Sequence, residues 1–317
     1  MKAHPGKERG ESDASSGGPL LGLALGGGAL LGLAHIGVLE VLEGAGIRPR
    51  VVTGTSVGAL IGACYAGGMS LPDMKATARS FSWRRVRKPK MLPTMAVFST
   101  APMRQFLEET LPAGDFDELE IPLAVVATDL RTAQMVVLGG GYLDGLESED
   151  DETVCLKLDL AEAVRASCTM PVLFEPVEAA GRILVDGFLT SNVPAGLARK
   201  MGAEVVLAVD LQQRRSLYEN PSNIVEYTIQ AQMIYRYWAV KNRQIWADVV
   251  VRPELKSFEW DDTARADAIM AAGREAALEK LPELEAALKD YERPGRSGRP
   301  ERPAEHAGGH RRVDYGG

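Results

Sequence analysis

The chain has 317 residues and 45% hydrophobic content, enough for one large α/β domain or two small ones with a sizeable core. Forty-three acidic residues against 36 basic ones leave a formal net charge of -7, which argues against a general nucleic-acid binder. Three cysteines (Cys64, Cys155, Cys168), none in a Cys-x-x-Cys, exclude a disulfide framework, lend little to a zinc or redox site, and fit a reducing, cytoplasmic setting.

Residues 1–18 are polar and rich in Gly and Ser, the composition of a disordered tail. The uncharged run 14–34 could pass for a signal peptide or a membrane span. However, Gly26, Gly27, Gly28 and Gly32 would weaken a lipid-exposed helix, and the flank before it mixes acids with bases. A buried strand over Leu20–Leu25 followed by a glycine loop over Gly26–Gly32 explains the same residues better. A helix is expected over Ala34–Gly44, a strand over Val51–Thr53, and a helix over Ser56–Ala66 that stops at Gly67-Gly68. Leu71–Leu92 reads as helix, then basic connection; Met103–Leu111 as an amphipathic helix; Pro122–Thr128 and Met135–Leu138 as strands. Residues 139–153 read as a surface insertion, Leu160–Cys168 as a short helix, and Ile183–Val185 and Val205–Val209 as strands. A long aromatic helix (Ser222–Trp246), a strand (Val249–Val251) and a last helix (Ala264–Leu288) follow. The Pro-, Gly- and Arg-rich stretch 291–317 reads as a second disordered tail. Alternating strands and helices predict one domain over 19–290, a three-layer α/β/α fold with a mostly parallel central sheet.

Ser56 stands in Gly54-Thr55-Ser56-Val57-Gly58, between a strand and a helix, the context of a nucleophile elbow. Such a serine ordinarily hands its proton to a histidine. The four histidines are poorly placed for it: His4, His306 and His310 lie in the tails, and His35 precedes the serine. The pattern therefore favours a carboxylate as direct base. Asp186, at the end of Leu184-Val185-Asp186-Gly187, would reach the same sheet edge as Ser56; equally, an Asp-Gly pair can simply cap a turn. Asp210, ending another strand, is the reserve base. The glycine loop could cradle a phosphate or form an oxyanion hole. No Gly-Lys-Ser/Thr follows it, no acid ends the next strand, and the elbow one strand later favours the oxyanion role.

Together these stretches resemble the bacterial patatin-like phospholipases, acyl hydrolases with a Ser-Asp dyad. The resemblance covers about Leu21–Leu284. It rests on the glycine loop with Ala34-His35-Ile36-Gly37, the elbow, Ile121-Pro122-Leu123 with Ala127-Thr128-Asp129-Leu130, Ala163–Ser167 through Pro171 with Pro176-Val177, and Val185-Asp186-Gly187 with Asn192-Val193-Pro194. It implies that Ser56 is the nucleophile and Asp186 its base, and that Gly27, Gly28 and Ala29 supply oxyanion-hole amides. It also implies a lipid ester substrate and no cofactor or metal. Three residues depart from the family pattern: Ala29 stands where a third glycine is common, Leu31 where Arg or Lys is common, and Phe188 where a small residue is usual. His35 matches a family position that is not catalytic.

Residues 83–92, dense in Arg and Lys, could seat the chain peripherally on anionic membrane or be a solvated loop. Tyr227, Ile234, Tyr235, Tyr237 and Trp238 could border an acyl channel or form core or an oligomer surface. Cys64 is expected in the core, and Asp129 as a brace at a strand end. The leading expectation is a serine lipid acyl hydrolase of the phospholipase, lysophospholipase or carboxylesterase type. The alternative is a non-catalytic phosphate- or nucleotide-binding module; a His35-dependent hydrolase is a minor third.

Overall fold

The computed structural model describes residues 19–91, 95–144, 146, 152–212, 220–241 and 245–291. Both tails expected to be disordered lie outside the described residues, apart from Tyr291, and so does most of the acidic run 147–152.

The first half runs β1 (Leu21–Leu25), α1 (Ala34–Gly44), β2 (Val51–Thr55), α2 (Val57–Ala66), α3 (Leu71–Ser80), β3 (Lys88–Pro89), β4 (Ala96–Ser99) and α4 (Ala101–Thr110). Then come β5 (Leu123–Asp129), β6 (Met135–Leu138), β7 (Thr153–Leu156), α5 (Leu160–Ser167), β8 (Val172–Phe174), β9 (Val177–Ala179) and β10 (Arg182–Asp186). The chain closes with α6 (Ala195–Lys200), β11 (Val205–Val209), α7 (Ile224–Lys241), β12 (Val249–Val251) and α8 (Ala266–Tyr291). Helix starts follow capping chemistry. The Ser70 hydroxyl accepts the Asp73 N–H at 3.3 Å ahead of α3, and the Asp159 carboxylate accepts the Glu162 N–H at 2.9 Å ahead of α5.

The central sheet holds a parallel block, β12-β11-β1-β2-β5. β11, β1, β2 and β5 are buried on both faces, which is why they read as largely apolar runs. Alternation along β1 sorts the layers. Leu21, Leu23 and Leu25 join the large core shared with α1, α2, α5 and α8. Ala24 packs with Ala195, Ala198 and Ala203 around α6 on the other face. The fold is thus the expected three-layer α/β/α arrangement with a mostly parallel sheet.

The register around β5 positions the site. β2 pairs with β5 up to Thr55 opposite Val126. β6 pairs with β5 over Val125–Thr128, so it must use the other edge. β10 pairs antiparallel over Ala127–Asp129, residues that overlap β6, so it shares the edge used by β2. Asp186 stands opposite Ala127, one residue beyond the Thr55–Val126 pair. The C-terminal ends of β2 and β10 therefore meet head to head along one edge of β5.

Several elements differ from the sequence expectation. β10 runs antiparallel, β7 begins where only an insertion was expected, and β3, β4 and β8 form a separate small sheet. These strands have two to four residues apart from β10 with five, too few for periodicity to show. The long helix is described over Ile224–Lys241, and Trp246 lies outside it.

Candidate active site

Ser56 links β2 to α2 with φ 55° and ψ -127°, a backbone conformation unusual for a residue with a side chain. The flanking glycines are required by close approach. A Cβ on Gly58 would lie 2.2 Å from the Leu25 carbonyl oxygen, and one on Gly54 would lie 2.6 Å from the Ala59 Cα. Two hydrogen bonds anchor the strained turn. The Ser56 N–H donates to the Ser167 hydroxyl at 2.8 Å, and that hydroxyl donates to the Val126 carbonyl at 2.6 Å. Ser167 is fully buried. Its bracing role is invisible in the sequence, where it was only part of a matching stretch.

Asp186 is 3% exposed at the end of β10. One carboxylate oxygen accepts the Phe188 N–H at 3.0 Å, and its backbone is held by Thr169 and Thr128. The turn-capping role and a place at the sheet edge thus coexist in one residue. The following loop is tied to the nucleophile strand: Thr55 Oγ1 donates to the Ser191 carbonyl at 2.8 Å and Thr53 Oγ1 to that of Pro194 at 3.0 Å. Cys168 interacts with both groups. Burial, then the Asp186 charge, push its thiol well above the usual range, against a hydrogen bond with Ser56. It stays a neutral thiol at physiological pH.

The glycine loop leaves β1 beside β11. The Gly26 N–H donates to Val209 at 3.0 Å and the Gly27 N–H to the Asn192 carbonyl at 3.2 Å. Gly27 lines the cavity, but its amide is occupied, which removes it from the donor set expected from the sequence. Gly28 and Ala29 stand at the N-terminal end of the helical turn Ala29–Leu33, where helix geometry leaves N–H groups without intrahelical acceptors. Ala29 has φ 50°, the left-handed region, which explains why a glycine suits this position. His35 is fully buried behind the loop. Its Nε2 lies 2.8 Å from the Gly26 carbonyl, which makes Nε2–H the donor, and burial lowers its pKa to about 4. It is a neutral brace and does not line the cavity.

Ser56, Asp186, Gly28 and Ala29 open on a cavity of about 210 Å³. Its walls come mainly from α2, α3, α4 and the β8 region, with Leu60, Met74, Phe106 and Phe174 among them. Asp186 is the single charged residue lining it among the described residues. Ala29, Leu31 and Phe188, the three departures from the family pattern, all line it, and so does Cys64, whose thiol burial pushes up to about 12. Such a wall suits an acyl chain and offers no cation to a phosphate. No group of three or more His, Cys, Asp or Glu among the described residues is placed to hold a metal ion.

Other expected residues fall elsewhere. Asp210 is absent from the cavity wall and is paired with Arg252 at 3.2 Å, so the reserve base is not at the site. Asp129 braces the end of β5 through Arg182 at 2.7 Å and Thr132 at 3.0 Å. Among the described residues of α7, Met233 alone lines the cavity; Tyr227, Ile234, Tyr235 and Trp238 are exposed. In the basic stretch Arg85 pairs with Glu109 and Lys90 with Glu175, and Arg87 lies over the rings of Trp83 and Phe98. Arg84 and Lys88 are exposed. No described helix is long and apolar enough to cross a membrane.

Comparison with known proteins bears on this site. The "Patatin-like phospholipase" family model matches residues 23–199, more than half of the chain. "Patatin-like phospholipase domain-containing protein 6" of Mus musculus is 30% identical over 251 residues, 76% of this chain and 17% of that protein. "Lysophospholipase nte1" of Aspergillus fumigatus is 26% identical over 231 residues, 71% of this chain and 14% of that protein. The chain thus spans about a sixth to a seventh of the length of these relatives. Among solved structures, VipD from Legionella pneumophila aligns with TM-score 0.46 and 14% identity, covering 84% of this chain and 67% of that one. With the elbow, the aspartate and the glycine loop all inside the matched span, the chain belongs to the patatin-like phospholipase family.

Proposed function

We propose that this chain is a serine lipid acyl hydrolase that cleaves fatty-acyl esters through a Ser56–Asp186 dyad. The observation that carries the proposal is the register around β5, which turns the ends of β2 and β10 toward each other at one apolar cavity. Asp186 accepts the Ser56 proton as Oγ attacks the ester carbonyl. The N–H groups of Gly28 and Ala29 hold the oxyanion. Collapse of the tetrahedral intermediate breaks the bond to the leaving alcohol, which takes the proton from Asp186. Water then attacks the acyl-enzyme, Asp186 accepts its proton, and Ser56 recovers that proton as the fatty acid leaves. Each step uses side chains and amides of this chain.

The phosphate- or nucleotide-binding alternative is not favoured by any observation, since the wall beside the glycine loop carries a carboxylate and no described Lys or Arg. Peripheral seating on anionic lipid through residues 83–92 belongs to the proposal as well. Trp83 and Val86 line the cavity, so this stretch borders the substrate's space while Arg84 and Lys88 face solvent.

The test is hydrolysis of short- and long-chain p-nitrophenyl esters by wild type, Ser56→Ala and Asp186→Asn, with fluorophosphonate labelling of Ser56. Turnover by wild type and a fall of about 10² to 10⁴ in kcat for Asp186→Asn are expected. A folded Asp186→Asn protein with near-full rate would reject the dyad. Nucleotide protection of Ser56 from labelling would revive the binding-module alternative.

A further inference from the structure

Helix α7 is apolar on two opposite sides. Ile224, Tyr227, Ala231, Ile234, Tyr235 and Trp238 are exposed, and by helix geometry they fall within one arc of about 100°. Among the described side chains of α7 these are all the exposed ones, and none carries a charge. The opposite side holds Ile229, 1% exposed, and Met233, which lines the cavity. One apolar side of α7 thus roofs the cavity while a second faces solvent. An exposed apolar surface of this kind marks a place of interaction.

What covers the outer side follows from its chemistry, its size and its surroundings. Tyr227, Tyr235 and Trp238 bury an apolar ring while keeping a polar tip wet, the habit of side chains at the headgroup level of a bilayer. From Ile224 to Trp238 the strip is about 21 Å long and about 10–12 Å wide. Two copies pressed together along it would bury less than about 1,000 Å², short of the roughly 1,200 Å² at which stable interfaces begin. A bilayer needs no matching surface, and each side chain that enters it adds to binding. The neighbouring small sheet continues the same chemistry. α7 packs on β8, and the far strand of that sheet, β3, carries the exposed Lys88. Met91 and Met95, at the two ends of the β3–β4 connection, are 99% and 57% exposed. Apolar side chains for the acyl boundary thus accompany cations, Arg84 and Lys88, for anionic headgroups.

We propose that α7 is the element by which this protein enters a membrane. Its outer side lies in the boundary between headgroups and acyl chains of an anionic bilayer, and its inner side stays over the cavity. Residues 83–92 attract the protein to the surface, and that attraction weakens with salt. The α7 face supplies the apolar part of the binding, which salt does not screen. A lipid surface, rather than another apolar partner, rests on the acyl-hydrolase function proposed above.

The experiment measures partition onto vesicles of phosphatidylcholine alone and of equal parts phosphatidylcholine and phosphatidylserine, by co-sedimentation. The parent protein carries Ser56→Ala, so that no lipid is consumed. Adding Ile234→Gln, Tyr235→Gln and Trp238→Gln should lower partition onto both vesicles by about ten- to a hundred-fold. Tyr235→Gln alone, a single change at a 69% exposed position, should lower it by about three- to tenfold and keeps the test if the triple variant does not fold. Replacing Arg84 and Lys88 with Gln is the contrast, with a loss of about fivefold per cation on the mixed vesicles only. Partition that the α7 substitutions leave unchanged, or a parent protein that binds neither vesicle, overturns the proposal. So does a lipid-free dimer that the same substitutions turn into monomer in sedimentation velocity, since a second copy would then cover the face. Hydrolysis of soluble p-nitrophenyl butyrate by protein with Ser56 intact is measured separately. If that ester is not turned over while partition falls as expected, the acyl-hydrolase function fails and the membrane face of α7 stands.

Discussion

Acidification should destabilise the fold through His35, and the effect can be isolated. The imidazole is fully buried, with Nε2 engaged by the Gly26 carbonyl and Nδ1 without a partner. A second proton would place an N–H at Nδ1 with nothing to accept it. Burial accordingly lowers the pKa from 6.5 to about 4, against a smaller opposing effect of the Gly26 bond. Above pH 6.5 the group is neutral in both folded and unfolded chains and contributes nothing to pH dependence. Between pH 6.5 and 4 the unfolded chain binds a proton that the folded one refuses, so stability falls as pH falls. The slope is about 1.4 kcal/mol per pH unit, and the total about 3 kcal/mol by pH 4. Urea unfolding of wild type and His35→Gln at pH 7, 6, 5 and 4 measures it. Wild type should lose about 3 kcal/mol more than the variant over this range, whatever constant offset the substitution adds. Parallel stability curves would refute the buried neutral imidazole. The same argument bears on catalysis, since a histidine neutral down to about pH 4 cannot produce a limb in kcat/KM near pH 6.5. Such a limb, removed by His35→Gln, would restore the histidine-dependent mechanism.

Three further substitutions probe the frame of the site. Ser167→Ala leaves the Ser56 N–H and the Val126 carbonyl unpaired. A loss of about 2–5 kcal/mol in chemical denaturation is expected, with kcat reduced more than KM is raised; a loss below about 1 kcal/mol would show that the elbow does not depend on this hydroxyl. Gly58→Ala drives a Cβ into the Leu25 carbonyl and should cost about 3 kcal/mol or more, so a thermal midpoint within a few degrees of wild type would contradict the close packing. Ala29→Gly relieves a positive φ at the expense of chain entropy. A net gain of up to about 1 kcal/mol with kcat held within about twofold is expected, and clear destabilisation would count against the left-handed backbone at this residue.

Much of the frame was legible because the parallel strands carry their own signal. β1, β11 and β12 are apolar runs bounded by turn residues, and α1 ends at Gly44 as its periodicity and glycine suggest. The elbow was legible because strand, Gly-x-Ser-x-Gly and helix follow one another locally. What was not legible depends on contacts between distant segments. The three-residue strands β8 and β9 exist because longer strands accept them as partners, and no pattern of three residues announces that. Gly27 looked like an oxyanion donor until the loop after Asp186 folded back and its Asn192 carbonyl took the amide. Asp210, the reserve base, also ends a strand, but it pairs with Arg252 and is absent from the cavity wall.

The difference between those two aspartates lies in register and not in local sequence. β11 is parallel to β1 and carries Asp210 out of the sheet beside the glycine loop, where the turn to Gln212 and the Arg252 ion pair hold its oxygens. β10 instead runs antiparallel along an edge of β5 that β2 has already used as far as Val126. Two strands sharing one edge must meet where the first stops, and the residues at that meeting are Ser56 and Asp186. Gly187 lets the second chain turn away: a Cβ there would lie 2.2 Å from the Val126 carbonyl oxygen, the same carbonyl that holds the Ser167 hydroxyl under the nucleophile. Val126 thus anchors both halves of the proposed dyad. Any change that shifts β5 by one residue would exchange its two faces and separate serine from aspartate together.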